Sequence, residues 1–285
     1  MAKEIELQVK GLTIRGQQWG APEGQRILCL HGWLDNSASF DFLGPKLDDL
    51  CVVAIDLPGH GLSGHWPDYQ HYHLWAAVED IDCILLALGW DSCILLGHSM
   101  GAAMATLYAG TFPSKVEQLI LIEAIGPMAG DLEGAPERLA KAIVTMRELN
   151  PQQGRRPSIS GFIESRLSGH LSLSRQASEA ITRRAVAKDE GGYYWRNDKR
   201  LKLTSMMRLP EPLIQSFIRS IQSRTLGIFA EKGLFSRESL PLRWDCISAP
   251  KQLVWLNGGH HLHMEEQAQE VADHILAFLR SDHEA

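Results

Sequence analysis

The sequence predicts an α/β fold, in which a mostly parallel sheet is covered by helices on both faces. Two observations predict it: short, nearly continuous apolar runs recur along the chain, and segments with helical periodicity separate them. A third observation refines it, because this alternation stops after Gly126 and resumes only near residue 225. With 285 residues, 45% of them hydrophobic, the chain is long enough to bury one full-sized core.

The predicted strands are of two kinds. Two N-terminal segments, residues 4–9 and 12–19, alternate apolar with polar residues and predict an antiparallel pair at one edge of the sheet. The other runs are rich in Val, Ile and Leu without alternation, which is typical of parallel strands buried on both faces. These buried strands are predicted at residues 26–30, 51–55, 92–96, 118–122, 225–230 and 251–256.

Helical periods fill the gaps between the buried strands. Apolar residues recur at steps of three and four from Leu74 to Leu88, and Gly89 supplies the stop. An Ala- and Met-rich helix is predicted from residue 100 to residue 112, just before Pro113. A closing amphipathic helix is predicted near the C-terminus, where apolar side chains share one face between residues 268 and 279.

Residues 127–224 are predicted to form a helical cap inserted into the core, which then comprises residues 1–126 and 225–285. The insertion carries 17 Lys and Arg against 10 Asp and Glu, so a basic cap would lie on an acidic body. Arginine pairs suggest one hypothesis, an acyl substrate that carries a negative group. The alternative is a solvated helical face whose charges are paired. The pairs are Arg155-Arg156 and Arg183-Arg184.

Charge, apolar runs and cysteine usage restrict the setting in which the protein acts. The formal net charge of −6 gives no general case for nucleic-acid binding. The N-terminal residues lack the apolar stretch of a signal peptide, and no run approaches the roughly 18 apolar residues of a membrane span. Five cysteines without C-x-x-C spacing predict reduced thiols in a cytoplasmic protein.

The most informative motif is Gly97-His98-Ser99-Met100-Gly101, which follows the predicted strand at 92–96 and opens the predicted helix at 100–112. This is the context that G-x-S-x-G needs to act as a nucleophile elbow. The tight turn exposes the hydroxyl of Ser99 at the carboxyl end of the sheet, and the glycines leave room for neighbouring backbone. We therefore expect Ser99 to be a nucleophile.

Backbone amides beside Ser99 are expected to bind a developing oxyanion. The helix start supplies the N–H of Met100, and a His-Gly turn after the strand at 26–30 supplies that of Trp33. Both groups would meet at the edge of the sheet where the parallel strands end. Trp33 and Met100 are thus the predicted oxyanion hole.

A histidine-rich loop after the last predicted strand supplies the candidate base. His260 follows two glycines and precedes the closing helix. His261 and His263 raise the alternative of a metal site, which we disfavour because no Cys or Asp is nearby in the sequence to complete it. No metal or cofactor is therefore expected. The remaining histidines are predicted to be surface or structural residues: His71, His73, His170 and His274.

Four segments resemble the ordered landmarks of the α/β-hydrolase superfamily, and within it the chain is most similar to the serine hydrolase-like proteins. The resemblance implies an eight-stranded, mostly parallel sheet with a helical cap inserted after the sixth strand. It also implies Ser99 as nucleophile, His260 as base, and Trp33 and Met100 as oxyanion donors, but no particular substrate. The segments are residues 31–36, 56–63, 97–101 and 258–265.

The sequence departs from the family pattern at the third triad member. Most of the family has an Asp after the strand that follows the cap, whereas this chain has Gly233 there. Glu123 is the preferred substitute, because it ends the strand at 118–122 and resembles the acid of a subset of haloalkane dehalogenases. Glu231 is the rival, and a triad without any acid is the third alternative.

A serine nucleophile restricts the chemistry. Dehalogenases and epoxide hydrolases of this fold need an Asp at this position, so acyl transfer to water through an acyl-enzyme on Ser99 remains. The preferred function is hydrolysis of a carboxylic ester or thioester of a small-molecule acyl substrate, without a cofactor. Two alternatives stay open: carbon–carbon bond hydrolysis with the same Ser and His, and a catalytically silent binding protein.

Overall fold

The computed structural model describes residues 2–149, 154–169, 171 and 173–281. Eight strands form the main sheet: β1 (Lys3–Val9), β2 (Leu12–Gly20), β3 (Arg26–Leu30), β4 (Cys51–Ile55), β5 (Cys93–His98), β6 (Val116–Ile122), β9 (Arg224–Lys232) and β10 (Lys251–Gly259). A separate pair comprises β7 (Val186–Asp189) and β8 (Gly192–Trp195). The helices are α1 (Ala77–Leu88), α2 (Met100–Thr111), α3 (Ala135–Arg147), α4 (Ser160–Leu167), α5 (Arg175–Ala185), α6 (Glu211–Arg219), α7 (Pro241–Trp244) and α8 (Ala268–Arg280).

The order of strands across the main sheet is β1-β2-β4-β3-β5-β6-β9-β10. β2 is antiparallel to both β1 and β4, and every other neighbouring pair is parallel. The predicted α/β fold, with eight strands in a mostly parallel sheet, is therefore confirmed. Because β5 and β6 lie side by side at its centre, the residues that follow them meet at one carboxyl edge.

Helices cover both faces of the sheet, which explains why its central strands are continuously apolar. Along β4, Val53 and Ile55 pack on the face covered by α1 and α2, and Val52 and Ala54 on the face covered by α8. All four side chains are almost fully buried. Alternate residues of a strand point to opposite faces, so burial on both faces requires every position to be apolar.

The segment between β6 and β9 contains α3 to α6, as the helical periods predict, but also the antiparallel hairpin β7–β8. The prediction of an all-helical insertion was wrong at these two strands. Each has only four residues and is half exposed, so neither shows an apolar run, and Gly192 turns the chain with a φ of +108°. His170, predicted to be a surface or structural residue, lies outside the described residues.

The five cysteines are free thiols in the described part of the chain, and Cys29, Cys51 and Cys93 are buried in strands, as expected. Among the helices that the structure describes, none combines the length and apolarity required to cross a bilayer. The cytoplasmic location stays a prediction.

Candidate active site

Ser99 lies in the turn between β5 and α2 with φ +52° and ψ −113°, a backbone conformation that residues other than Gly rarely adopt. Two hydrogen bonds hold this strained turn: the N–H of Ser99 donates to the carbonyl of Ile122 (2.9 Å), and the N–H of Ala103 donates to the carbonyl of Ser99 (3.0 Å). Neighbouring structure thus fixes the turn and presents the Ser99 side chain at the sheet edge.

The two glycines of the motif are required by close backbone approach. A Cβ at Gly97 would lie 2.5 Å from the Cα of Ala102, and one at Gly101 would lie 2.5 Å from the carbonyl carbon of Leu30. Both distances are too short for a side chain, so either substitution would force β3, β5 and α2 apart. The spacing of G-x-S-x-G is therefore a packing requirement in this chain.

A buried histidine orients the peptide group that carries the Trp33 N–H. The N–H of Leu57 donates to Nε2 of His31 (3.0 Å), so Nδ1 of His31 carries the proton and donates it to the carbonyl of Gly32 (2.7 Å). In a trans peptide the C=O and the following N–H point in opposite directions. Because His31 holds the Gly32 carbonyl on its own side, the N–H of Trp33 points in the opposite direction.

Three contacts from the segment between β6 and β9 hold the loop that bears Trp33. Leu34 has a φ of +60°, and its carbonyl accepts hydrogen bonds from Arg166 on α4 and from Nδ2 of Asn197 (3.1 Å). The indole Nε1 of Trp33 donates to the carbonyl of Leu201 (2.8 Å). Neither the Trp33 N–H nor the Met100 N–H donates a hydrogen bond to a described residue, so both are free to bind an oxyanion.

Glu123 is fully buried at the end of β6 and accepts three hydrogen bonds. Its Oε1 accepts from the N–H of Ala230 (2.7 Å), and its Oε2 accepts from the N–H of Leu234 (3.1 Å) and from Nδ1 of His260 (2.9 Å). These donors fix the carboxylate and hold the imidazole in the tautomer whose Nε2 carries the lone pair. Of the two predicted acids, Glu123 is the one in contact with His260.

Gly233 leaves room for the carboxylate of Glu123, which reaches from β6 to the segment after β9. A Cβ at Gly233 would lie 2.6 Å from Cδ of Glu123, so the carboxylate occupies the space that a side chain at 233 would need. Glu231, the rival acid, is exposed and pairs with Arg237. The missing Asp and the buried Glu123 are thus two aspects of one arrangement.

Ser99, His260, Trp33 and Met100 all border one cavity of about 1000 Å³. The Ser99 hydroxyl donates no hydrogen bond to a described residue. Catalytic hydrogen bonds are often formed only once substrate is bound. The roles of these residues stay predictions, but the fold places the groups around one space.

The arginines that suggested an anionic substrate are engaged elsewhere. Arg155 pairs with Asp189 and Arg183 with Glu179. The remaining two bond as follows: Arg156 to the carbonyl of Gly161, and Arg184 to Glu4 and Asp56. None of the four borders the cavity, so they give no support to the hypothesis of an anionic substrate. Other cationic residues border the cavity, and the sequence pattern did not indicate them. They are Arg166, Lys202, Arg208 and Arg243.

A second buried carboxylate beside the site was not predicted from the sequence. Asp35 pairs with Arg166 (3.1 Å) and lies 3.7 Å from Nε2 of His261. Burial by itself would raise the pKa of Asp35, but the neighbouring His261 and the positive charge of Arg166 outweigh it and hold this pKa well below the usual value. The only available signal was its place four residues after His31, in the loop that follows β3.

Buried, uncharged histidines should make the protein sensitive to acid. Burial lowers the pKa of His60 and His263 from 6.5 to about 3. The unfolded chain binds these protons first, so stability is complete above about pH 6.5 and falls as the pH drops towards the folded pKa, by about 1.4 kcal/mol per pH unit for each histidine. Replacing His263 by Met removes one contribution. The free energy of unfolding of the variant, relative to that of the wild type, should therefore rise by that amount for each pH unit below about pH 6.

Urea unfolding of both proteins between about pH 7.5 and pH 5 measures this difference. His263 is fully buried, packs against His98 and Phe40, and neither of its ring nitrogens has a hydrogen-bond partner among the described residues. Methionine therefore deletes no described hydrogen bond. Parallel pH profiles for the two proteins would show that His263 is not held neutral.

The sheet order and the strand–turn–helix elbow at Ser99 are features of the α/β-hydrolase class. The chain belongs to that family, since the model for the alpha/beta hydrolase fold matches residues 25–267. Within the class it belongs with the serine hydrolase-like proteins. It is 30% identical to such a protein of Danio rerio (98% of this chain, 89% of that protein) and 32% identical to serine hydrolase-like protein 2 of Homo sapiens (99% and 96%).

Two solved structures extend the likeness to three dimensions. A hypothetical protein from Pseudomonas aeruginosa PAO1 is 34% identical and superposes with a TM-score of 0.90, covering 98% of this chain and 99% of that one. A thioesterase domain from the curacin biosynthetic pathway is 28% identical, with a TM-score of 0.86 and coverage of 97% and 99%. Both matches include the segment between β6 and β9.

Proposed function

We propose that the protein hydrolyses a carboxylic ester or thioester through an acyl-enzyme on Ser99. One observation carries this proposal: the buried Glu123–His260 pair borders the same cavity as the strained Ser99 turn. A nucleophile, a base and an acid that orients the base are the three parts that acyl transfer requires. The similarity to a thioesterase domain supports the same class of substrate.

In the acylation step, Nε2 of His260 removes the proton of Ser99 while Oγ attacks the acyl carbon. The carbonyl oxygen becomes an oxyanion and accepts hydrogen bonds from the N–H groups of Trp33 and Met100. The intermediate then collapses, and the imidazolium of His260 donates its proton to the departing alcohol or thiol. Glu123 faces Nδ1 of His260 at 2.9 Å, where its negative charge stabilises the imidazolium.

Deacylation repeats these steps with water. His260 removes a proton from water, the hydroxide attacks the ester on Ser99, and the same two amides hold the second oxyanion. The proton on His260 finally returns to Oγ of Ser99 and the carboxylic acid leaves. Every proton transfer uses groups of the chain, so this route requires no cofactor.

Residues 127–224 would form the lid over this site. The wall of the cavity includes apolar side chains such as Leu74, Leu209 and Phe235, which suit an acyl chain. Lys202 and Arg208 also border the cavity, and no salt bridge joins either to a described carboxylate. These two cations, in place of the four arginines first considered, favour an acyl substrate with a negative group.

A matched set of substrates tests this proposal. Neutral esters, half-esters of dicarboxylic acids and the corresponding thioesters should be hydrolysed, and a diketone should not. We expect kcat/KM for the anionic members to fall as salt is added, because the Debye length is only about 10 Å at 0.1 M salt. It should also be lower in Lys202→Met than in the wild type, because that variant lacks one of the two cations. Equal salt responses for neutral and anionic esters would contradict the anionic preference, and cleavage of the diketone alone would favour carbon–carbon hydrolysis.

Arg166 is expected to act on turnover by positioning the oxyanion loop. Arg166→Met keeps the aliphatic stem but loses the hydrogen bond to the Leu34 carbonyl and the ion pair with Asp35. A misplaced Trp33 amide should lower kcat about 10- to 100-fold with little change in KM, since losing a whole oxyanion donor costs about 100- to 1000-fold. Steady-state kinetics measure the split between kcat and KM.

Arg175→Met is the matched control, because Arg175 lies on α5 and pairs at the surface with Glu164. It should leave both constants close to those of the wild type. A change in KM alone for Arg166→Met would mean that Arg166 binds substrate and does not position the loop.

A further inference from the structure

Three buried histidine rings converge beside Ser99. One ring nitrogen from each of His98, His260 and His261 lies within 4.8 Å of the other two. The ring centroids are 4.8 Å apart for His98 and His260, 5.2 Å for His98 and His261, and 5.0 Å for His260 and His261. All three residues border the cavity that also contains Ser99.

The outer partners of these rings are those of metal-binding histidines. His260 donates Nδ1–H to Glu123 (2.9 Å), and Nε2 of His98 faces the carbonyl of His260 (2.9 Å). Nε2 of His261 lies 3.7 Å from Asp35. A carboxylate or carbonyl on one nitrogen fixes the tautomer of a ligating imidazole and raises its basicity. His260 and His98 have such a neighbour at hydrogen-bonding distance, and His261 has a carboxylate at 3.7 Å.

His98 supplies the second, independent observation. Its Nε2 can only donate to a carbonyl, so its Nδ1 carries the lone pair. That Nδ1 is buried without a hydrogen-bond partner among the described residues, and a Cβ at Gly32 would lie 3.0 Å from both this atom and Oδ2 of Asp35. A buried acceptor without a donor is costly, and a cation would satisfy it.

We infer that His98, His260 and His261 form an inhibitory site for a divalent late transition metal such as Zn²⁺, Cu²⁺ or Ni²⁺. Imidazole ligands select these ions over Mg²⁺ and Ca²⁺, which prefer oxygen. Ligand nitrogens at about 2.1 Å from Zn²⁺ require the three rings to close by about an ångström. Ser99 or a water would supply the fourth ligand.

The inhibitory effect rests on the proposed function. A metal on Nε2 of His260 occupies the lone pair that removes the proton of Ser99, so neither acylation nor deacylation can proceed. The trio that was weighed and disfavoured as a metal site on sequence grounds was a different one, His260, His261 and His263. In the fold, His98 and Asp35 come from distant parts of the chain. The ring of His263 packs 4.1 Å from that of His98 but lies 6.5 Å from that of His261.

Co²⁺ is the probe for the site itself, because its visible absorption reports four-coordinate binding without any substrate. Wild-type protein should bind Co²⁺ with such bands, and Zn²⁺ should displace it. His261→Gln should weaken both ions at least about 10-fold, as loss of a metal-site residue does. His71→Gln is the matched control, since the rings of His71 and His73 lie 5.8 Å apart and form an alternative pair.

Absence of the Co²⁺ bands, or bands weakened by His71→Gln and unchanged by His261→Gln, would overturn the site. If His261→Gln does not fold, anomalous scattering at the zinc edge in wild-type crystals decides the same point. Zinc peaks only away from His98, His260 and His261 would overturn it.

Inhibition is measured as the ratio of ester hydrolysis with and without Zn²⁺, so that any effect of a variant on turnover cancels. We expect wild-type hydrolysis to fall more than 10-fold at saturating Zn²⁺ and to return with a chelator. Co²⁺ bands in a protein that hydrolyses no ester would uphold the metal site and reject the proposed function. Full hydrolysis with the site occupied would overturn the inhibitory role.

Discussion

Replacing Ser99 by Ala, or His260 by Gln, is expected to lower kcat for ester hydrolysis about a million-fold. Each change removes one member of a unit that acts only when complete. The double variant should therefore lose no more than either single variant. Steady-state assays with a chromogenic ester measure the loss of kcat in the two single variants and the double variant. Circular dichroism tests that each variant is folded.

His274→Gln is the matched control, because it makes the same substitution on α8, away from the cavity. It should retain wild-type kcat. Losses that add in the double variant would mean that Ser99 and His260 do not act as a unit. A double variant with substantial residual turnover would place the chemistry elsewhere in the protein.

The second large effect concerns the acid. Glu123→Gly should lower kcat about 10⁴-fold, because the imidazole loses the partner that fixes its tautomer and stabilises its charge. The substitution also suits the backbone, since Glu123 has a φ of +59°. Glu231→Gln should leave kcat unchanged, because that side chain pairs with Arg237 at the surface.

Exchanging the two residues gives a more demanding test. Gly233→Asp alone should be harmful, since its Cβ would lie 2.6 Å from Cδ of Glu123. Combined with Glu123→Gly, the new Asp has the vacated space beside His260, and kcat should recover by about 100-fold over Glu123→Gly. A double variant no better than Glu123→Gly would show that position 233 cannot hold a triad acid in this chain.

The sequence was sufficient for the fold and for the order of the site along the chain. Continuous apolar runs identified the parallel strands because both faces of β4 are buried. The spacing of Gly97, Ser99 and Gly101 identified the elbow because backbone packing leaves no room for a side chain at 97 or 101. Such features depend on residues close in sequence, so a linear pattern carries them.

Features that join distant segments were not predicted from the sequence. The pairing of Arg166 with Asp35 and the cluster of His98 with His261 depend on how the segments pack. The β7–β8 hairpin is local, and it was missed because its four-residue strands show no apolar run. The residue count showed that the segment between β6 and β9 is basic, but the arginine pairs that we singled out do not border the cavity. Glu123 was an exception, because Gly233 indicated that any acid had to lie elsewhere and Glu123 ends the strand after the elbow helix.

The central claim is that Ser99 is an activated nucleophile. Treating the protein with a fluorophosphonate probe, followed by peptide mass spectrometry, tests it most directly because the probe reacts with the serine itself and needs no knowledge of the substrate. We predict a phosphonate on Ser99, absent in Ser99→Ala and formed orders of magnitude more slowly in Glu123→Gly. No adduct on Ser99 in a folded protein would contradict the claim and would leave a hydrolase fold used only for binding.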